Sequence, residues 1–547
     1  MPPIFLSPSK RNVTDDSCDE DTKSDGTKDD SKDENAAEEL SSKQNTSRTS
    51  WRQRYLTLSS PNIVLSASVH DTKTVSSPPS SSDESKELTP EEAGRKAHDL
   101  ATSMSLFSSS SRDIMHPPPE SMETMLAHCG VDHSERNVGM APPMHFATTY
   151  SRPEDGIYLE GDSVYSRAGN PTRDMLEKEI SRLECFGKAL PPEIKSPTCC
   201  AFASGMMAIS SIILSHAAPV HLLLPKELYP AVMSVTVDVF SRFSVSTQQV
   251  DMTDLLAVEN LIDALPEEID CIIWMESPAS PYCSITDIEE ICKIIQKANR
   301  KITTVVDSTL APPMITQPLL LGADLVVHSA TKYLAGHSDA LVGVVTASPW
   351  TERGRTLAPV LKQTQMAVGG VASVMDSWFT LRGLRTVNLR VKRHCETALH
   401  VAQFLEAHPS VHKVYYPGLK SHKQRALAKK QMNGLYGGVL SVVMSTEVRA
   451  MALAGALLTI QRATSLGGTE TLIEHRASME PKGRQSSPPG LLRMSVGLED
   501  PQDLINDLTR ALKVVDTVAP LVPIKKNWRG VLSGVDRDQC LVPDLNE

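Results

Sequence analysis

The chain has 547 residues, of which 40% are hydrophobic, and this is enough to bury a large core and to build more than one domain. A formal net charge of −11 argues against nucleic acid as a partner, and no apolar run reaches the roughly 18 residues of a membrane span. The ten cysteines lack C-x-x-C or zinc-finger spacing, so we expect reduced thiols, a cytoplasmic location and no metal site.

Residues 1–115 are dominated by Ser, Asp, Glu, Lys and Thr, as the run DDSCDED at 15–21 illustrates. Such a segment cannot bury enough apolar surface to offset the entropy lost on ordering it, so we predict a disordered acidic and serine-rich tail. The segment is too acidic at its start for an organelle presequence, and it has no apolar secretory core. A second tail is expected at 521–547.

Between these tails, short apolar runs alternate with helical patterns. We predict strands at 200–203, 221–224, 271–275, 303–306, 325–327 and 343–345. Repeated strand–helix units favour a mostly parallel sheet covered by helices, which we assign to a large domain at 176–385. A smaller α/β domain is expected at 386–520, and a single long helix over 381–405 is expected to cross the boundary between the two domains.

The lysine that follows the strand at 325–327 is the first candidate functional residue. The strand stops at the small polar cluster Ser329-Ala330-Thr331, and Lys332 comes next. A partly desolvated amine loses its proton easily and can form a Schiff base, while neighbouring hydroxyl and backbone N–H groups can hold a phosphate. These are the parts of a pyridoxal-phosphate site, although an arbitrary S-x-T-K is more often a surface lysine after a core strand.

Two other candidates stand at predicted strand ends. Gly205 lies in the strand-to-helix turn at 204–206, where backbone N–H groups can approach a phosphate, although many α/β turns carry a glycine. Asp307 ends the strand at 303–306, twenty-five residues before Lys332, and an aspartate there can also simply cap the strand.

Several motifs, in the same order along the chain, resemble the Cys/Met-metabolism family of pyridoxal-phosphate enzymes, and the resemblance runs from about 135 to about 515. These motifs are YSRAGNPT at 165–172, SGM at 204–206, ESPASP at 276–281, VDSTLAPP at 306–313, DLVVHSATKYLAGHS at 324–338, SLGGTETLI at 465–473 and LRMSVG at 492–497. The resemblance implies an aspartate-aminotransferase-like fold, also called fold type I, with a seven-stranded sheet and pyridoxal 5'-phosphate as the cofactor.

The resemblance also assigns roles around the cofactor. Lys332 would bond to it, and Asp307 would face the pyridine nitrogen and keep it protonated, which strengthens the ring as an electron sink. Tyr229 would stack on the ring and assist the leaving group, although the family usually has Y-G-G-T or Y-G-C-T where this chain has YPAV at 229–232. The residues assigned to the phosphate are Gly205, Met206, Ser329 and Thr331.

By the same resemblance, Tyr165 and Arg167 reach the cofactor phosphate of a neighbouring subunit. Arginine suits that role because its planar fork makes bidentate contacts with an oxyanion. The segment at 116–175 would then be an arm that contributes to the neighbouring subunit. We therefore expect a homo-oligomer, either a dimer or a tetramer, in which a monomer lacks a complete site.

The substrate side of the site follows from the remaining motifs. Arg493 is similar to the arginine that clamps the α-carboxylate of the amino acid, although it could instead pair with a neighbouring acid. Ser465 would lie near Lys332 and the same carboxylate. Ser280 stands where the family has an asparagine that touches the cofactor's phenolic oxygen, and a serine is shorter and offers only one hydroxyl.

The activity implied by the resemblance is trans-sulfuration chemistry on a sulfur amino acid. The favoured form is elimination or replacement at Cγ of cystathionine or an O-acyl-homoserine, as in cystathionine gamma-lyase or gamma-synthase. Motifs common to the family leave three relatives open, namely cystathionine beta-lyase, methionine gamma-lyase and O-acetylhomoserine sulfhydrylase. An alternative of another class is a catalytically weak homologue whose acidic tail recruits partners.

Overall fold

A computed structural model describes residues 121–131, 139–157, 162–266, 269–298, 300–480 and 487–518. The predicted tails at 1–115 and 521–547 lie outside these ranges and stay predictions. None of the helices in these ranges is both long and apolar enough to cross a lipid bilayer.

A seven-stranded sheet forms the centre of the first half of the fold. Its strands are β1 Cys199–Phe202, β2 Val220–Pro225, β3 Val245–Val250, β4 Asp270–Glu276, β5 Ile302–Asp307, β6 Leu325–Ser329 and β7 Gly343–Ala347. The order across the sheet is β1-β7-β6-β5-β4-β2-β3, and only β7 runs antiparallel to its neighbours. The predicted mostly parallel seven-stranded sheet is confirmed.

Helices lie on both faces of this sheet. They are α1 Met122–Ala127, α2 Pro171–Glu184, α3 Gly205–Leu214, α4 Pro230–Ser234, α5 Leu255–Ala264, α6 Ile288–Ala298, α7 Glu352–Val368 and α8 Val374–Leu384. α3 and α7 pack on one face, and α5 and α6 pack on the other. Because both faces are covered, β4 is buried along its whole length, which is why its sequence is a continuous apolar run instead of an alternating one.

A second, five-stranded sheet follows in the chain. Its elements are α9 Val387–Ala407, β8 Val411–Tyr415, α10 Arg425–Gln431, β9 Val439–Met444, α11 Glu447–Ala456, β10 Gln461–Arg462, β11 Leu472–His475, α12 Arg476–Met479, β12 Leu491–Ser495 and α13 Pro501–Val518. The strand order is β10-β11-β12-β9-β8. α13 buries Leu504, Leu508 and Leu512, which recur every four residues on one helix face.

The prediction of a single helix over 381–405 is wrong, because α8 ends at Leu384 and α9 begins at Val387. Gly383 packs so closely on the loop after β6 that an added Cβ would lie 2.2 Å from the carbonyl oxygen of Ala335. The guanidinium of Arg390 donates to the carbonyls of Gly383 (2.7 Å) and Tyr333 (2.8 Å), which fixes the corner between the helices. The predicted domain boundary at 385/386 falls in this corner, and the domain limits themselves stay predictions.

The topology decides where the functional side chains meet. Glu276, Asp307 and Ser329 are the last residues of β4, β5 and β6, which are adjacent and parallel. The carboxyl ends of parallel strands lie at one edge of the sheet, and this edge is where α/β proteins bind ligands. In the smaller sheet, β11 and β12 place Glu474 directly opposite Arg493.

Candidate active site

A cavity of about 530 Å³ lies at the carboxyl edge of the large sheet and is also lined by residues of the smaller sheet. Ten of the twelve predicted site residues line it. These ten are Gly205, Met206, Tyr229, Ser280, Asp307, Ser329, Thr331, Lys332, Ser465 and Arg493. The remaining two, Tyr165 and Arg167, are exposed and do not line it.

Lys332 is half-buried in the loop after β6, and its Nζ donates a hydrogen bond of 2.8 Å to Oγ of Ser465. Burial lowers the pKa of the Lys332 amine, and the positive charge of Arg493 lowers it further. Ser465 has a φ of 94°, in the left-handed region that favours glycine, and backbone strain of this kind clusters at functional sites. A lowered pKa favours the unprotonated amine, which is the form that can act as a nucleophile or base.

Asp307 and Glu276 are paired in the β4–β5 register, and both carboxyl groups are buried. Burial raises the pKa of Asp307, while Oδ1 accepts a hydrogen bond of 3.0 Å from the backbone N–H of Thr309. Burial and the neighbouring Asp307 raise the pKa of Glu276 to about 8. A ligand that brings a positive charge would compensate these two adjacent buried acids well.

Glu276 also connects two parts of the site. Its Oε2 accepts a hydrogen bond of 2.7 Å from the backbone N–H of Tyr229, and its Oε1 accepts one of 2.8 Å from the backbone N–H of Ser280. One carboxylate thus holds the segments that carry both predicted ring contacts. Glu276 had no predicted role, although its place at the end of a buried apolar run was a usable signal in the sequence.

The amino terminus of α3 is suited to bind an anion. The side chain of Ser204 caps the helix by accepting a hydrogen bond of 3.1 Å from the N–H of Met207. The first helical N–H groups, those of Gly205 and Met206, have no acceptor within the helix. An added Cβ at Gly205 would lie 3.1 Å from Cβ of Ser329, which explains the glycine at this close approach. These groups fit a phosphate.

Thr331 differs from the other predicted phosphate ligands. Its hydroxyl accepts a hydrogen bond of 2.9 Å from the N–H of Val342 and donates one of 3.2 Å to the carbonyl oxygen of the same residue. The hydroxyl therefore holds the loop that carries Lys332. Its predicted contact with a phosphate stays a prediction.

Tyr229 and Ser280 lie on the cavity wall. Tyr229 is 46% exposed, and Pro230 after it is the first residue of α4, so the departure from Y-G-G-T places a short helix at this point. Oγ of Ser280 is buried and has no hydrogen-bond partner among the described residues. A buried hydroxyl left in this state is available to a polar atom of a ligand.

On the opposite side of the cavity, Arg493 is buried on β12. Its guanidinium lies 3.1 Å from Oε1 of Glu474 and donates 3.3 Å to the carbonyl of Ser465. Burial lowers the pKa of Arg493, and the charge of Glu474 opposes that shift. Glu474 and its second partner, Arg476, had no predicted role, because the contact between Glu474 and Arg493 depends on the β11–β12 register.

The residues present fit pyridoxal 5'-phosphate. The cavity offers an amine of lowered pKa for the aldehyde, a buried carboxyl group for the pyridine nitrogen, helix N–H groups for the phosphate and an unpartnered hydroxyl for a polar ring substituent. Across the same cavity, a buried guanidinium is positioned to bind a carboxylate. The arrangement can therefore bind an amino acid beside the cofactor and move a proton at the bound carbon.

The pKa of Glu276 leads to a testable stability difference. The folded cofactor-free protein binds the carboxyl proton of Glu276 more tightly than the unfolded chain does. The resulting stabilisation of the folded state is therefore fully present below the ordinary pKa of 4.5 and is lost as pH rises towards about 8. We expect Tm of the cofactor-free protein to fall less steeply between about pH 5 and about pH 8 in Glu276→Gln than in the wild type. Thermal unfolding followed by circular dichroism measures this, with the exposed Glu193→Gln as a control; parallel curves for wild type and Glu276→Gln would contradict it.

Known proteins resemble this chain over most of its length. Cystathionine beta-lyase of Coxiella burnetii is 37% identical over 402 residues, which cover 72% of this chain and 97% of the relative. Cystathionine gamma-lyase of Bacillus subtilis is 36% identical over 399 residues, covering 72% and 99%. Cystathionine gamma-synthase of Mycobacterium bovis is 36% identical over 398 residues, covering 71% and 96%.

Solved structures give the same result. The crystal structure of cystathionine gamma-lyase from Lactobacillus plantarum, complexed with L-serine, aligns with a TM-score of 0.65 at 32% identity and covers 72% of this chain and 99% of that one. Cystathionine gamma synthase from Xanthomonas oryzae, in complex with aminoacrylate and cysteine, aligns with a TM-score of 0.66 at 30% identity, covering 74% and 100%. The sequence profile described as "Cys/Met metabolism PLP-dependent enzyme" matches residues 123–513. The chain therefore belongs to the Cys/Met-metabolism family of pyridoxal-phosphate-dependent enzymes.

Proposed function

We propose that this enzyme carries out elimination or replacement at Cγ of a sulfur amino acid or an activated homoserine. The observation that carries the proposal is the position of Lys332, whose amine of lowered pKa lies 2.8 Å from Ser465 in a cavity that also contains Arg493. The similar proteins are cystathionine lyases and a cystathionine synthase, and this supports trans-sulfuration chemistry at the same cavity.

Pyridoxal 5'-phosphate, when bound, withdraws electrons from Cα of the amino acid. Lys332 removes the proton at Cα, and its lowered pKa favours the unprotonated amine that this step requires. The same amine is positioned to move a proton at Cβ, which chemistry at Cγ requires. Asp307 supplies the buried negative charge for the pyridine nitrogen.

Two further residues orient and complete the reaction. Arg493 binds the α-carboxylate through its fork and so fixes Cα with respect to Lys332. Tyr229, half-exposed at the cavity wall, assists departure of the group at Cγ. The backbone of Tyr229 is held by Glu276, so the phenol is attached to a fixed point of the large sheet.

A product assay separates the possible reactions. The purified enzyme, loaded with cofactor, is given L-cystathionine, and its absorbance spectrum and keto-acid release are followed together. 2-Oxobutanoate supports elimination at Cγ, and pyruvate instead shows cleavage at Cβ. If neither keto acid forms, the enzyme is offered an O-acyl-homoserine with cysteine, where new cystathionine supports replacement at Cγ. A cofactor band that no sulfur amino acid shifts, with no product from any of them, would refute the proposal.

A shared active site in a homo-oligomer is part of the same proposal. Tyr165 and Arg167 are exposed, and the arginine carbon Cζ lies 5.8 Å from the centre of the tyrosine ring. Large apolar side chains in the preceding part of the chain are also exposed, including Met140 at 68%, Phe146 at 63% and Ile157 at 60%. Exposed apolar surface of this kind is typical of a protein interface. A cytoplasmic location is proposed as well, supported by the eight described cysteines, which are all free thiols.

Mixing two inactive variants tests whether subunits share a site. Arg167→Ala and Lys332→Ala are each expected to have little activity, because each removes a different component of every site. After joint refolding, half of the sites in a mixed dimer regain both residues, so a random mixture should recover about a quarter of wild-type activity. Activity in the mixture no higher than the sum of the separate variants would contradict a shared site.

A further inference from the structure

Four buried charged side chains of alternating sign lie in a row, and three of them, Arg493, Glu474 and Arg476, line the cavity. Arg493 lies 3.1 Å from Glu474, Glu474 lies 2.7 Å from Arg476, and Arg476 lies 3.9 Å from Glu480. None of these side chains is more than 8% exposed. At the end of the row, Glu480 accepts 3.0 Å from the backbone N–H of Ser487. We call these four residues the charge row.

The charge row places Glu474 in competition with a substrate. Both arginines contact the same oxygen of Glu474, Oε1. In the proposed function, Arg493 must give its fork to the α-carboxylate of the amino acid. A buried carboxylate that loses its only cation is strongly destabilised, because it has no water to solvate it. Without a second cation, binding of substrate at Arg493 would leave Glu474 in that state.

Arg476 is placed to prevent this cost. It is the first residue of α12 and follows β11 directly, so its backbone is fixed beside Glu474. Its contact with Glu474 is shorter than that of Arg493, and its side chain lines the cavity itself. In addition, Nε of Arg476 is buried without a hydrogen-bond partner among the described residues, so this guanidinium retains an unused donor for an incoming acceptor.

We propose that Arg476 is a positioning residue for substrate recognition. It holds the charge of Glu474 and thereby leaves Arg493 available to the α-carboxylate of the substrate. The inference rests on the proposed role of Arg493. It assigns to Arg476 an effect on the binding of carboxylates and none on the binding of amines that lack one.

The test measures binding instead of turnover. L-Alanine carries the α-amino and α-carboxyl groups without a leaving group, and ethylamine is the matched probe that lacks only the carboxylate. We expect Arg476→Gln to raise Kd of the cofactor-loaded enzyme for L-alanine about tenfold or more, measured by titration calorimetry, and to leave Kd for ethylamine unchanged. Arg476→Lys keeps the positive charge and should recover most of the affinity for L-alanine.

A second substitution distinguishes this competition from general damage. Glu474→Gln removes the competing charge, so the double variant Glu474→Gln with Arg476→Gln should regain tight binding of L-alanine. If Arg476→Gln does not fold, Glu474→Gln alone provides the test, because it should bind L-alanine at least as tightly as the wild type. Unchanged L-alanine binding in Arg476→Gln, or equal losses for L-alanine and ethylamine, would overturn the inference.

Arg493→Gln separates the two levels of the proposal. If it weakens L-alanine binding selectively and Arg476→Gln does not, only the role of Arg476 fails. If Arg493→Gln itself leaves L-alanine binding unchanged, the proposed role of Arg493 fails, and the inference about Arg476 fails with it.

Discussion

Replacing Lys332 by alanine is expected to lower kcat by at least about a thousandfold, because this equals the loss of roughly 4 kcal/mol of transition-state stabilisation. Among the described residues that line the cavity, Lys332 is the only lysine, so no other amine there can form the bond to the cofactor or move the proton at Cα. Steady-state turnover of the substrate found in the product assay measures the effect. The absorbance band of the bound cofactor should shift in the same variant.

A surface lysine provides the matched control. Lys297 is 82% exposed on α6 and makes one ion pair with Glu259 at 3.6 Å. Such a pair contributes little to stability, so Lys297→Ala should leave both kcat and the cofactor band unchanged. A Lys332→Ala enzyme that keeps kcat within about tenfold of the wild type would require another base and would refute the assignment.

Asp307→Asn is expected to lower kcat about a hundredfold, equivalent to ~2.7 kcal/mol of activation free energy. Asparagine keeps the shape of the side chain and the oxygen that accepts from the N–H of Thr309, so the substitution removes mainly the charge. Without that charge the pyridine nitrogen loses its acid partner, and the ring becomes a weaker electron sink. KM should change less than kcat, because Arg493, the proposed ligand of the α-carboxylate, lies on the other side of the cavity.

Asp324 distinguishes a catalytic effect from the loss of any buried carboxylate in the same sheet. Asp324 is also buried, but it does not line the cavity. Its Oδ2 accepts a hydrogen bond of 2.8 Å from the N–H of Thr304 and one of 2.7 Å from the hydroxyl of the same residue. Asp324→Asn should lower Tm and leave kcat nearly unchanged. Equal kcat losses in Asp307→Asn and Asp324→Asn would show that the role of Asp307 is structural.

Two adjacent buried acids make the free site costly for the protein. Asp307 and Glu276 lie side by side in the β4–β5 register, and burial raises the pKa of both. A positively charged ring placed against Asp307 would offset part of that cost. Cofactor binding should therefore stabilise the folded state more than its contact area alone would.

The positions of six of the seven strands and of several candidate site residues could be predicted from the sequence, whereas β3 and the order of the strands across the sheet could not. Buried parallel strands are continuous apolar runs, and a polar residue at the end of such a run lies at the carboxyl edge of the sheet. Lys332, Asp307 and Ser329 all follow this rule, and all three line the cavity. The turn at Gly205 was equally predictable, because a strand, a small polar cap and a helix follow one another directly in the chain.

Contacts between distant segments were decided only by the tertiary structure. Glu276 accepts a hydrogen bond from Tyr229, 47 residues earlier in the chain, because β2 and β4 end at the same sheet edge. Arg493 joins the charge row because β12 lies beside β11. Local patterns of polarity report burial and periodicity, but they do not specify which carboxylate meets which donor. The break between α8 and α9 has the same cause, since Arg390 fixes it through a carbonyl 57 residues earlier in the chain.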